Sequence, residues 1–305
     1  MATWRKVAQG LISAATLAAA GPALAAPTAA SLFYERALMT AADASCRLFA
    51  PPVAASLAAA KAQARGAALR SGADAASLQA LEARAAATAQ TAGCGSPDIA
   101  LAATRVRSAF DGYARLDAMR YPGDTAEWFA QRPADDGLSH WRLSQRTRFG
   151  WDVMVFGLAG RGTARPLMAV ASFADGARPY GARLILRDVA RTMGPYLDTR
   201  EADLNGRIPL DGRLPPASAS RVFNAEALSP AGSDLRPADL DDGWAFRFPA
   251  AASDALAALD PRESVAVEFL FAGDGGDETR TAYVEVGDFV AGRAFQSLGR
   301  ALVQR

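Results

Sequence analysis

The chain has 305 residues, is half hydrophobic by composition and 21% charged, and carries a formal charge of +1. So even a balance gives no global field to gather nucleic acid. Beyond the N-terminus, no segment offers the roughly 18 consecutive apolar residues of a membrane-spanning helix.

The first residues, MATWRKVAQGLISAATLAAAGPALA, place Arg5 and Lys6 before an apolar stretch from Val7 to Ala20, followed by Gly21-Pro22 and Ala23-Leu24-Ala25. This is the order of a secretory signal peptide, with cleavage expected after Ala25. Losing Arg5 and Lys6 would take the formal charge from +1 to −1. The basic residues are 31 Arg plus Lys6 and Lys61, a bias that reflects GC-rich bacterial coding more than function. Cys46 and Cys94 are the only cysteines, both lie beyond the leader, and neither belongs to a CxxC. In an oxidising compartment they predict one structural disulfide.

Residues 26–120 read as a helical bundle, broken at Pro51-Pro52, Ser71-Gly72 and Gly93-Cys94-Gly95. Phe33, Ala37, Ala41, Ala44 and Leu48 fall on one face of the first helix. Leu57, Ala60, Ala64 and Ala68, then Leu78, Leu81 and Ala85, give the middle pair weaker stripes. Ser96 precedes Pro97 and Asp98 as an N-cap, and Ile99, Ala103, Val106, Phe110 and Tyr113 form the last stripe. The turn-rich stretch 121–137, YPGDTAEWFAQRPADDG, reads as a connector.

From there to residue 305 the period changes to two. In SHWRLSQRTRFGW, Trp141, Leu143, Thr147, Phe149 and Trp151 alternate with Arg142, Ser144, Arg146 and Arg148, as a half-buried strand requires. Further strands are expected at 152–158, 166–173, 182–187, 244–248, 265–271 and 279–286, and a short amphipathic helix at 291–303. The fold class is therefore α+β: an Ala-rich helical N-terminal bundle followed by a mainly antiparallel β domain with a short C-terminal helix.

Two acidic glycine runs resemble metal loops. In EADLNGRIPLDGRL, residues 201–214, Glu201, Asp203 and Asn205 fit the first ligand positions of an EF-hand, but the closing Glu is replaced by Gly212 and Pro209 denies the exiting helix. Asn205-Gly206 and Asp211-Gly212 read instead as tight turns flanking an extended Arg207–Leu210. AGDGGDE, residues 272–278, falls where a hairpin tip belongs. No metal or cofactor is expected at either.

Arg142, Arg146 and Arg148 are the candidate ligand-binding residues, because guanidinium forks match phosphate or carboxylate. Trp141, Phe149 and Trp151 would form a sugar-stacking platform if exposed, although their alternation points them into a core. His140 is the single histidine, which excludes HExxH and any other zinc site built on several histidines. No GxSxG accompanies it, and there is no SxxK, Walker loop or GxGxxG opening a helix. Paired carboxylates of the kind glycosidases use remain open among 32 acids, with Asp135, Asp136, Glu201, Asp241 and Asp242 in loops.

The run TAYVEVGDFVAGRAFQSL, residues 281–298, resembles the closing strand and helix of the invasion-associated locus B family of secreted bacterial β-proteins. That family's cysteines are missing here, and no function is carried over. The expectation is an exported, periplasmic or secreted protein without enzymatic activity, binding an envelope protein or wall glycan. The alternative is a cell-wall or polysaccharide hydrolase using paired carboxylates. A third reading makes the helices an assembly surface.

Overall fold

A computed structural model describes residues 28–132, 137–273 and 275–297. The expected leader and the acids Asp135 and Asp136 lie outside these. Four helices come first: α1 (Ala29–Cys46), α2 (Pro51–Arg70), α3 (Ala75–Ala92) and α4 (Pro97–Ala114). Eleven strands and two further helices follow. In chain order these are β1 (Ala118–Pro122), β2 (Glu127–Gln131), β3 (His140–Phe149), β4 (Asp152–Gly160), β5 (Leu167–Ser172), β6 (Gly181–Arg187), β7 (Ser220–Asn224), β8 (Ala227–Pro230), β9 (Trp244–Arg247), α5 (Ala250–Ala257), β10 (Ser264–Gly273), β11 (Gly276–Glu285) and α6 (Phe289–Ser297). The α+β class is as read from the sequence.

Three of the first four helices, α1, α3 and α4, start at a side-chain cap. Thr28 accepts from Ser31 N–H, Asp74 from Ser77 N–H and Ser96 from Ile99 N–H, each satisfying an orphan donor of the first turn. Pro51 and Pro52 open α2, where their missing N–H groups leave no helical bond unmade. The expected stripes are partly modified. On α1, Phe33 and Ala37 are buried, but Ala44 is exposed and Met39 and Ala42 are buried as well, because α1 packs against both α2 and α3. Cys46, the last residue of α1, is bonded to Cys94 in the link between α3 and α4, with Cα atoms 5.5 Å apart.

Every strand pairing is antiparallel. One sheet runs β1-β2-β3-β4-β5-β9-β8 and the other β11-β10-β6-β7. Their facing sides share one core, in which Met154, Phe156 and Ala169 of the first meet Leu184, Val267 and Phe269 of the second. Phe269 touches Phe149, Phe173 and Phe246 with ring centroids 5.1–5.6 Å apart. β4 is buried along nearly its whole length because the outer face of its sheet is also covered. There Ala231 and Leu235, from the segment between β8 and β9, pack on Ala159 and Val170. The expected connector 121–137 instead carries β2 and the end of β1, whose hairpin turns at Gly123-Asp124-Thr125.

A polar seam joins the helices to the sheets. Glu285, fully buried at the end of β11, accepts hydrogen bonds from the backbone N–H groups of Asp124, Thr125 and Ala126 and from the Thr125 hydroxyl, at 2.7–2.9 Å. Arg213 lies 3.4 Å from Asp124 and 3.7 Å from Glu285. Arg70 of α2 donates to Asp288 at 3.1 Å and to the Pro122 carbonyl at 3.3 Å. Burial pushes the Asp288 and Asp124 carboxyls above the usual carboxylate range, against the pull of these arginines. Arg132 is buried beside the seam. Its Nη1 donates to the Ala114 and Leu116 carbonyls, and its Nε and Nη2 donate to the Phe295 carbonyl, so one guanidinium satisfies the end of α4 and fixes α6.

Candidate ligand-binding tip

The β3–β4 hairpin turns through only two residues, Gly150 and Trp151, with Phe149 opposite Asp152. Gly150 has φ 61°, which a two-residue hairpin requires at its first central position and glycine adopts without strain. The turn throws Trp151 out of the strand, and its surface is 90% exposed. The expected inward alternation therefore holds for Phe149, which stacks on Phe269 at 5.6 Å, and fails for Trp151. Trp141 is half-buried, its indole N–H donating to the Leu235 carbonyl at 2.7 Å.

Beside Trp151 two carboxylates converge on one guanidinium. Arg280 of β11 donates to Asp152 at 3.2 Å and forks onto both oxygens of Asp175 at 3.0 and 2.6 Å. Asp152 also accepts from Ala174 N–H at 2.9 Å, and Asp175 from Ala177 N–H at 3.1 Å. The face of Arg280 lies over Phe271, 4.7 Å from the ring centroid, and 5.6 Å from Phe173. These contacts preset the polar groups before any ligand arrives. The fork holds the Asp175 carboxyl down at about 2, and the two carboxylates hold the Arg280 guanidinium above its ordinary value.

Trp151, Asp152, Asp175 and Arg280 border an open recess of about 640 Å³ floored by Phe149. An exposed indole flanked by preset acceptors and donors is suited to a ligand with an apolar face and hydroxyls along its edge. It is ill suited to acid–base hydrolysis. Separate acid and base roles need two carboxyls whose environments drive their proton affinities apart, whereas here one cation binds both.

The other sequence-predicted residues lie elsewhere. The single arginine face expected on β3 is not formed, because a bulge between Trp141 and Leu143 breaks the alternation. Arg142 is buried, with Nη2 donating to the Gly162 carbonyl at 3.0 Å. Arg146 is exposed and forks onto Asp239 at 2.9 and 2.6 Å, and Arg148 is exposed two residues further along. Nε2 of His140 is buried without a hydrogen-bond partner among the described residues.

The run 201–214 forms turns, but not within a sheet. Gly206 N–H donates to the Asp203 carbonyl, and the Asp203 carboxylate accepts from Asn205 and Arg207 N–H, both at 2.8 Å. Asp211 to Arg213 then make one turn of 3-10 helix, and Arg207–Leu210 pairs with no strand. Asp203 thus serves its own backbone, which lowers its carboxyl below the usual range. Among the described residues no cluster of three or more His, Cys, Asp or Glu is arranged to hold a metal ion. Gly273 and Gly276 pair at the β10–β11 tip, where the second acidic run was expected to turn. Asp242 accepts from the Ser172 hydroxyl at 2.9 Å.

Fold and tip together define a disulfide-stapled helical bundle packed on a two-sheet antiparallel body, with an aromatic and charged recess at one hairpin end. No protein-family model matches the chain, and no curated protein or solved structure does so either.

Proposed function

We propose that this is an exported envelope protein, periplasmic or secreted, that binds wall glycan through the Trp151 tip without cleaving it. The observation that carries the reading is the indole of Trp151, 90% exposed on a two-residue turn beside carboxylates locked by Arg280. Tryptophan usually buries its large apolar surface, so holding it in water on a short, glycine-dependent turn makes sense where a flat ligand covers it. The disulfide and the leader-like N-terminus support export.

The test is a titration of the oxidised protein with soluble peptidoglycan fragments, followed by tryptophan fluorescence. Trp151→Ala should weaken binding about tenfold, or about 1.4 kcal/mol, while leaving the melting temperature unchanged. Equal affinity of wild type and variant would remove the tip from the function. Fragments recovered shorter than supplied would overturn binding without cleavage.

A pH series separates the two readings independently. A depressed carboxyl contributes its ion pair above its ordinary value and loses it as pH falls through the folded value, here from about 4 towards about 2. Affinity should therefore be flat from about pH 4 to about pH 8, where a hydrolase relying on a raised acid would show a bell-shaped profile.

A further inference from the structure

A second cavity lies where α2 and α4 diverge over β1. It has a volume of about 270 Å³ and is walled by Val53, Leu57, Val106, Phe110 and Met119. Its polar side chains are Arg36, Ser56, Tyr113, Tyr121 and Gln63, and Gln63 is hydrogen-bonded to Asp288. At one side Arg36 of α1 donates through Nη1 to the Ala60 carbonyl at 2.7 Å, and this is the one hydrogen bond its guanidinium makes among the described residues. One helical turn before Ala60, the Ser56 hydroxyl is buried and has no hydrogen-bond partner among the described residues. On the floor the Tyr113 and Tyr121 hydroxyls lie 3.3 Å apart and partner each other. Burial raises both phenols above their ordinary value, so both stay neutral.

An apolar slot with one incompletely used cation and one orphaned hydroxyl at the same side is not a packing solution. Burying an unpaired hydroxyl costs about 1–3 kcal/mol, and a partly desolvated guanidinium favours an anion in reach of its unused donors. We propose that this cavity binds a small single-chain carboxylate, its head held by Arg36 and Ser56 and its apolar tail lying between Leu57, Val106, Phe110 and Met119. The volume falls just below the about 300–1,000 Å³ of drug-sized pockets, which suits a short acyl chain and excludes a two-chain lipid. The proposal stands independently of the Trp151 tip.

Isothermal titration of the oxidised protein would use three probes: octanoate, octyltrimethylammonium and acetate. Octanoate should bind saturably, and the other two at least about tenfold more weakly. Arg36→Met keeps the stem and removes the charge, and should abolish the preference of octanoate over the ammonium. Because Arg36 also bonds the Ala60 carbonyl, a second variant guards against misfolding. Ala109→Phe changes an exposed α4 residue that lines the mouth and should block octanoate while leaving the melting temperature unchanged. Equal binding of octanoate and the ammonium, octanoate no tighter than acetate, no saturable binding, or full octanoate affinity in Ala109→Phe would each overturn the proposal.

Discussion

Replacing Glu285 with alanine is expected to destabilise the fold by about 3–5 kcal/mol, the range for removing one partner from a buried, hydrogen-bonded charge network. The carboxylate is fully buried and accepts from three consecutive backbone N–H groups and one hydroxyl of the β1–β2 turn. Its loss leaves those donors without their acceptor and leaves Arg213, itself only 3% exposed, with Asp124 as its remaining carboxylate. Glu285→Gln should fall between wild type and alanine, because the amide keeps one acceptor oxygen but turns an N–H₂ towards the donors. Gly123→Ala should crowd the same turn from the other side, since a Cβ there would stand 2.5 Å from the Ala126 carbonyl oxygen and 2.6 Å from the Glu285 carboxyl. Urea unfolding of the three variants checks this. A Glu285→Ala midpoint within experimental error of wild type would mean that water replaces the carboxylate and that the seam is not a structural anchor.

That anchor was not legible in the sequence, and the reason is physical. Glu285 stands between Val284 and Val286 at a position that alternation assigns to solvent, and only the distant β1–β2 turn makes it a buried acceptor. The legible strands either carry apolar residues at period two, as in β3, β6, β10, β11 and the short β9, or are near-continuous apolar runs, as in β4 and β5. β1 and β2 have five residues each and flank Pro122-Gly123-Asp124, so turn chemistry hid them. β7 and β8 are largely exposed and show no apolar alternation, and α5 is eight residues within an alanine run. At the tip, period-two alternation run through Gly150 places Trp151 inside, as if the strand continued. The Phe-Gly-Trp-Asp sequence did contain the correction, a glycine at the first position of a two-residue hairpin. Likewise the bulge at Trp141–Leu143 moved Arg142 away from Arg146 and Arg148, a shift that no period-two reading contains. The cavity beside Arg36 depends on how α1, α2 and α4 splay over β1, and a helical stripe does not encode that distance.

Reducing the Cys46–Cys94 bond, or replacing both residues by alanine, is expected to lower stability by about 4 kcal/mol in the chain-entropy description for a sequence separation of 48. The loss should fall mainly on the helices. Alanine makes up five of the eleven buried residues of their two apolar clusters, the larger ones being Met39, Leu57 and Ile99 in one and Phe33, Leu69 and Leu78 in the other. Alanine allows close approach but removes little apolar area from water, at about 25 cal/mol per Å². The shared core of the two sheets, by contrast, is dense in phenylalanine, leucine and valine and contains no cysteine. Hydrogen exchange should therefore show α1, α3 and α4 losing protection on reduction while β4, β5 and β10 keep theirs. α2 should be intermediate, because Arg70 ties its C-terminal end to Asp288 and its packing against α6 survives the loss of the bridge. If protection falls equally in helices and strands, the bundle and the sheets unfold as one cooperative unit. The disulfide would then support the Trp151 tip as much as the cavity beside Arg36, and octanoate and glycan binding should be lost together on reduction.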